Sequence, residues 1–186
     1  IVGQRETGSA LVYFSFFLML YREGMSGAFL FTGLAMVIYF VVGIKYEEVL
    51  LWDTPTSLGK FVVLLLVQIF SSVMVWVYVG DKGRTRLLLT YVFGITGLAL
   101  LFSEFVIPFD VVWVQLVLSA CVIGYLVYNA MNTRFANYFY IALFALGSIA
   151  FFYSADYVLN EVMQPHQRVR INVLLGLDED LAGAGY

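Results

Sequence analysis

Apolar and polar positions follow one another along this chain in long blocks rather than short strides. Six blocks are almost free of charge, at residues 9–21, 25–44, 61–80, 87–107, 111–128 and 137–158. A helix crossing the hydrocarbon core of a bilayer needs about 20 mainly apolar residues, whereas a helix of a soluble domain is apolar along one stripe only. The first block is short unless Thr7 and Gly8 extend it. The pattern predicts an all-α polytopic membrane protein with about six transmembrane helices and an extracytoplasmic loop at its C-terminal end. It divides the chain into a polar stretch at 1–8, a helical membrane region at 9–158, and the start of a large loop at 159–186. The sequence opens at Ile1 within a polar stretch and ends at Tyr186, and it reads as an internal piece of a longer protein.

Composition sharpens this picture. Of the 186 residues 62% are hydrophobic and only 12% are charged. Soluble domains average about 45–50% apolar and about 25% charged, so an ordinary water-soluble globule is excluded. The aromatic share of 18% excludes a disordered chain by the same reasoning. A net charge of −3, spread thinly, does not suggest a nucleic-acid partner. The single cysteine, Cys121, lies inside an apolar block and supports neither a disulfide framework nor a cysteine metal site.

The breaks between blocks are asymmetric in charge. Arg22, then Lys82, Arg84 and Arg86, then Arg134 occupy the first, third and fifth breaks; the alternate breaks carry only Lys45 and Lys60. Five cations against two make the first set cytoplasmic by the positive-inside rule. The first segment therefore enters from outside, and the chain leaves the sixth on the outside. Glu47, Glu48, Asp53, Glu104 and Asp110 fall on the outer side too. Glu104 lies within an apolar block, four residues before Pro108 and close enough to the outer end to serve as an interfacial anchor. Gln68, Ser71 and Ser72 in the third block, with Gln115 and Ser119 in the fifth, are expected to form interhelical hydrogen bonds rather than a transport path.

This topology puts two polar stretches on the same outer face: GQRETGSAL at 3–11 and QPHQRVRINVLLGLDEDLAGAGY at 164–186. The second stretch resembles the large extracytoplasmic loop of the SEDS family (RodA, FtsW and SpoVE). That loop runs Pro-(His/Tyr)-Gln-x-x-Arg-(Ile/Val), then Leu-Asp-Pro, a second Asp and Gly-(Ala/Ser)-Gly-Tyr. The first stretch resembles the family's Gln-Pro-Asp-x-Gly-(Ser/Thr)-(Ala/Ser)-Leu motif, and the two occur in family order. The RodA-like branch is the closer fit. Arg5-Glu6 stands where the family has Pro-Asp, which keeps a carboxylate but lengthens it by one methylene. Gly176-Leu177 replaces the common Asp-Pro, and Leu181 follows Asp180 in place of Pro. Six apolar segments separate motifs that about two would separate in the family. The even difference leaves both motifs on one face, and residues 45–134 read as an inserted membrane subdomain.

The resemblance implies a peptidoglycan glycosyltransferase that polymerises lipid II into glycan strands during cell elongation and cell-shape maintenance. It also implies a multi-pass protein of the bacterial plasma membrane, partnered by a class B penicillin-binding protein that supplies the transpeptidase. Counted back from GAGY, Asp180 matches the aspartate proposed as catalytic, and a carboxylate near the acceptor hydroxyl can act as general base. Asp180 could otherwise be a solvated turn residue before Gly183. Asp178 and Glu179 lack the family spacing. In an extended segment Arg168 and Arg170 share one face, where guanidinium groups can clamp phosphate oxygens; pairing with the acidic run is the other reading. His166, Gln167 and Glu6 complete the substrate-binding set that the resemblance implies. Glu6 would otherwise act on the first helix's dipole, with Thr7 or Ser9 as cap. With one histidine and one cysteine, no metal site built from those residues is expected. The oxygen-rich loop would suit Mg²⁺ or Mn²⁺ if it held an ion. Two further classes stand beside the enzyme: a flippase or other transporter of lipid-linked precursors, and a non-catalytic scaffold of the cell-wall machinery with the acidic loop as docking surface.

The topology is checked by thiol labelling from outside the cell. Cysteines introduced at Lys82 and Arg134 should resist an impermeant reagent, and those at Asp53 and Glu179 should react. The reverse pattern would invert the orientation.

Overall fold

The structure is a computed structural model that describes residues 15, 16, 19, 22–24, 26–52 and 54–159. Its helices are α1 (Gly27–Lys45), α2 (Leu58–Met74), α3 (Lys82–Phe105), α4 (Val111–Thr133) and α5 (Ala136–Tyr157). Beyond Met74, α2 continues through one wider π turn, Val75–Val79, so that Leu58–Val79 forms one span. All five spans are long and apolar enough to cross a membrane. The chain is an all-α, multi-pass membrane protein. Of the first predicted segment only Ser15, Phe16 and Met19 are described, and each is helical.

The helices start and stop where local chemistry dictates. Asp81 caps α3, accepting a hydrogen bond from the Arg84 N–H at 2.9 Å. That cap starts the helix five residues before the predicted apolar block, taking Lys82, Arg84 and Arg86 into the first two turns. At 24 residues, α3 is about 36 Å long, which exceeds the ~30 Å hydrocarbon core and leaves its basic end in the headgroup layer. Asp110 caps α4 through the Val112 N–H at 3.0 Å. Between these helices Ser103 holds the turn, donating to the Phe109 carbonyl at 2.9 Å and accepting its N–H at 3.3 Å. Gly80 ends the π turn with φ +78°, and its N–H bonds back to the Trp76 carbonyl at 2.9 Å. Arg134, also left-handed with φ +54°, reverses the chain between α4 and α5.

The chain divides into two compact units, Ile1–Ile38 and Tyr39–Tyr186, and the division falls within α1. In the first unit Thr32 donates its hydroxyl to the Ala28 carbonyl one turn earlier, at 2.8 Å. In the second, α2 and α4 form a central pair that α3 and α5 flank. Residues 45–134 pack directly on α5 through α2 and α4. Because lipid tails are as apolar as leucine, such contacts rest on close packing and hydrogen bonds rather than on hydrophobic driving force. The buried positions accordingly include many small side chains: Ser71 and Ser72 on α2, Thr96 and Ala99 on α3, Ser119 on α4, Ala142, Ala145 and Ser148 on α5. Large apolar residues such as Leu98, Trp113, Val117 and Met131 point outward, as lipid-facing residues do.

The tightest approach lies at the outer end, where α2 begins. A Cβ on Gly59 would collide with the Gly43 carbonyl oxygen and lie 3.0 Å from the Tyr46 carbonyl carbon. These are backbone atoms, which cannot swing away. Gly59→Ala should therefore destabilise the fold by about 1–3 kcal/mol, as overpacking does. Gly97→Ala, where nothing lies within 4 Å, should be neutral or slightly stabilising. Thermal unfolding in detergent compares the two; equal midpoints would remove the close approach.

Candidate functional site

Glu6, His166, Gln167, Arg168, Arg170 and Asp180, the site residues expected from the sequence, all lie outside the described residues. So does the acidic run at 178–180. What is described is the helical region, whose polar groups fall in three layers.

The outer layer forms at the end of α5. Lys60, in the first turn of α2, pairs with Asp156 in the last turn of α5 (Nζ to Oδ2 3.1 Å), one turn before the chain continues past Leu159. Both side chains are partly exposed, so the pair contributes about 0–1 kcal/mol. Its larger consequence is electrostatic. Of the two lysines Lys45 and Lys60 at this end of α1 and α2, one is neutralised. Beside it the connection from α1 to α2 is laced to its own backbone. Ser57 donates its hydroxyl to the Glu47 carbonyl at 2.8 Å, and the Leu51 and Leu58 N–H groups bond the Thr56 and Val49 carbonyls. Thr56 Oγ1 accepts the Val111 N–H at 2.9 Å and so ties this connection to the start of α4. Glu104 is exposed at the C-terminal end of α3.

The middle layer is a neutral polar seam across α2, α4 and α3. Gln68 Nε2 donates to Ser119 Oγ at 2.8 Å and to the Gln115 carbonyl at 3.1 Å. Gln115 Nε2 donates to Thr96 Oγ1 at 2.8 Å. The expected interhelical role thus holds for Gln68, Gln115 and Ser119. Ser71 and Ser72 differ: they donate to the Val67 and Gln68 carbonyls of their own helix, at 2.6 and 2.7 Å. A serine hydroxyl readily reaches the carbonyl four residues back, whereas the longer glutamine amide spans to the next helix. Thr96, which the sequence reading missed, completes the seam. The void beside Gln68, Ser119 and Ala145 is too narrow for a water molecule.

The inner layer gathers at the opposite end. Arg84 pairs with Asp81 at 3.5 Å, and its guanidinium donates to the Tyr138 hydroxyl and lies over that ring. Asn137 donates to the Tyr78 carbonyl at 2.8 Å. α3 and α5 begin here while α2 and α4 end here, which gives the alternation of four antiparallel spans. No group of three histidine, cysteine, aspartate or glutamate side chains converges among the described residues. No family model, curated protein or solved structure matches the chain.

The seam makes an asymmetric prediction. Thr96→Val strands the buried Gln115 amide and should cost about 1–3 kcal/mol. Gln115→Met removes the amide that needs a partner and should cost less. Adding Gln115→Met to Thr96→Val should recover part of the loss. Chemical unfolding in micelles measures all three; a silent Thr96→Val would break the seam.

Proposed function

We propose that this chain belongs to a SEDS-type peptidoglycan glycosyltransferase of the RodA-like branch, which polymerises lipid II on the outer face of the bacterial plasma membrane during elongation and cell-shape maintenance. The observation that carries the reading is the pair of motifs, QRETGSAL at 4–11 and PHQRVRI through GAGY at 165–186, in order and separated by an even number of apolar segments. Five of those segments are membrane-length helices; with the first predicted segment counted as a sixth crossing, this reading puts both motifs on one side.

In this reading the acceptor sugar hydroxyl attacks the anomeric carbon of the donor. The new bond is oxygen to carbon, and the bond that breaks joins that carbon to the lipid diphosphate. Asp180 takes the hydroxyl proton as general base. Arg168 and Arg170, with His166 and Gln167, stabilise the negative charge that gathers on the departing diphosphate. Glu6 faces the same cavity and orients substrate. A class B penicillin-binding protein crosslinks the product. A precursor flippase would instead need a polar path, and the charged side chains of the described helices lie at the helix ends rather than at mid-depth.

The test is polymerisation of labelled lipid II by the purified protein with its transpeptidase partner. Asp180→Asn should abolish glycan product while leaving folding and partner binding intact, since it keeps size and turn propensity. Near-normal synthesis by a folded variant would remove Asp180 from the mechanism, and translocation without polymer would favour the flippase.

A further inference from the structure

The inner end of the bundle carries a second feature, unconnected with the loop chemistry. An open groove of about 780 Å³ lies between the end of α2 and the start of α3, lined by Trp76, Lys82, Arg86, Leu89, Phe93 and Gly94 among others. Its polar and apolar linings are separated along the helix axis. Lys82 and Arg86 are one turn apart on one face of α3, at the basic end that overshoots the hydrocarbon core. Leu89 and Phe93 continue that face, Phe93 about 10 Å deeper than Arg86 at 1.5 Å per residue. Beside Phe93, Gly94 has no neighbouring atom within 4 Å of where a Cβ would be, so the lower groove is open to lipid. The π turn brings Trp76 to the rim, where the Lys82 ammonium lies 5.9 Å from the ring centroid.

The charges in this groove are uncompensated. Among the described residues no acidic side chain lines it. Asp81, the nearest carboxylate in sequence, is taken up by Arg84 and by the helix cap. Arg84 itself turns away to Tyr138. The Thr85 and Thr90 hydroxyls are already donated, to the Asp81 and Arg86 carbonyls. The side-chain donors left for a ligand are the Lys82 ammonium, the Arg86 guanidinium and the Trp76 indole N–H, above an apolar channel that opens sideways.

We propose that this groove binds an anionic diacyl phospholipid of the leaflet at the basic end of the bundle. Its phosphate sits between Lys82 and Arg86, and an acyl chain lies along Leu89, Phe93 and Gly94. Basic pockets between membrane helices on the cytoplasmic side suit such headgroups, and a tryptophan at that depth matches the interfacial belt. A zwitterionic headgroup would bring its own cation against two others and gain little. The site is independent of the proposed sugar transfer.

Native mass spectrometry of the purified protein, titrated with phosphatidylglycerol or phosphatidylcholine of matched chains, tests this. Phosphatidylglycerol should be retained preferentially. Lys82→Gln and Arg86→Gln should each lower the preference about fivefold, which is about 1 kcal/mol per cation, and together about 25-fold. Exchanging the charges, Lys82→Arg with Arg86→Lys, should preserve it. So should Arg134→Asn, which removes a cation from the same membrane end but not from the groove. Equal retention of the two lipids would overturn the proposal. So would an equal loss in Arg134→Asn, which would mean diffuse attraction to the leaflet. Adducts of inorganic phosphate without lipid, or a lipid-free dimer that the groove variants abolish, would overturn it in favour of an ion site or a contact between copies.

Discussion

In hydrocarbon an unmet hydrogen-bonding group has no water to turn to, and every feature of this bundle answers to that. The backbone answers by forming helices, each long enough to carry its polar ends into the headgroup layer. The side chains answer in two ways. Serine and threonine hydroxyls fold back on their own helices, as at Thr32, Ser71, Ser72, Ser119 and Thr133. Two glutamines cannot, because their amides are too long, and so they bridge. Gln68 and Gln115 are both buried and both reach a neighbouring helix. Their carboxamide oxygens find no partner among the described residues, so the seam costs desolvation as well as giving bonds. What it provides is register: slide α2 one turn along α4 and Gln68 no longer meets Ser119.

The spans were legible because a run of about 20 apolar residues matches the thickness of a bilayer and little else in a folded chain. Their ends were less so. Hydropathy begins a helix where charge stops, whereas the chain begins one where a side chain can cap it, and Asp81 does so ahead of Lys82, Arg84 and Arg86. Lys60 likewise lies inside α2 rather than before it. Pairwise features were least legible. That Gln68 and Gln115 would bridge follows from their type and setting, but that Thr96 would receive the second amide depends on which faces of α3 and α4 meet. Asp156 stands near the end of an apolar run, and its partner lies nearly a hundred residues away in Lys60. The expected catalytic and binding residues fall beyond the described part of the chain, so their assignment rests on the motif spelling.

The two ends of the bundle are built differently. At the outer end the polar groups are satisfied within the protein: Lys60 by Asp156, Thr56 by the start of α4, Ser103 by Phe109. Gly43, Gly59 and Tyr46 leave no slack there. The inner end keeps only Arg84 for internal use and directs Lys82 and Arg86 outward. A firm outer surface suits a segment that supports a loop, and an inner surface with free cations suits one that meets anionic lipid.

This distribution constrains where any charge-developing chemistry can occur. The described polar groups at mid-depth are neutral amides and hydroxyls. Moving a diphosphate away from a sugar needs a carboxylate that can take a proton and cations that can hold the leaving charge, and at mid-depth the cost of burying either is several kcal/mol. The described helices hold their charged side chains at the ends instead. In the proposed reading, sugar transfer would therefore fall to the loops, and the two motifs would need a common side of the membrane. The even number of crossings matters for that reason more than the identity of any lipid-facing residue. Four further helices between the motifs leave their common side unchanged, whereas one more or one fewer would put them on opposite faces.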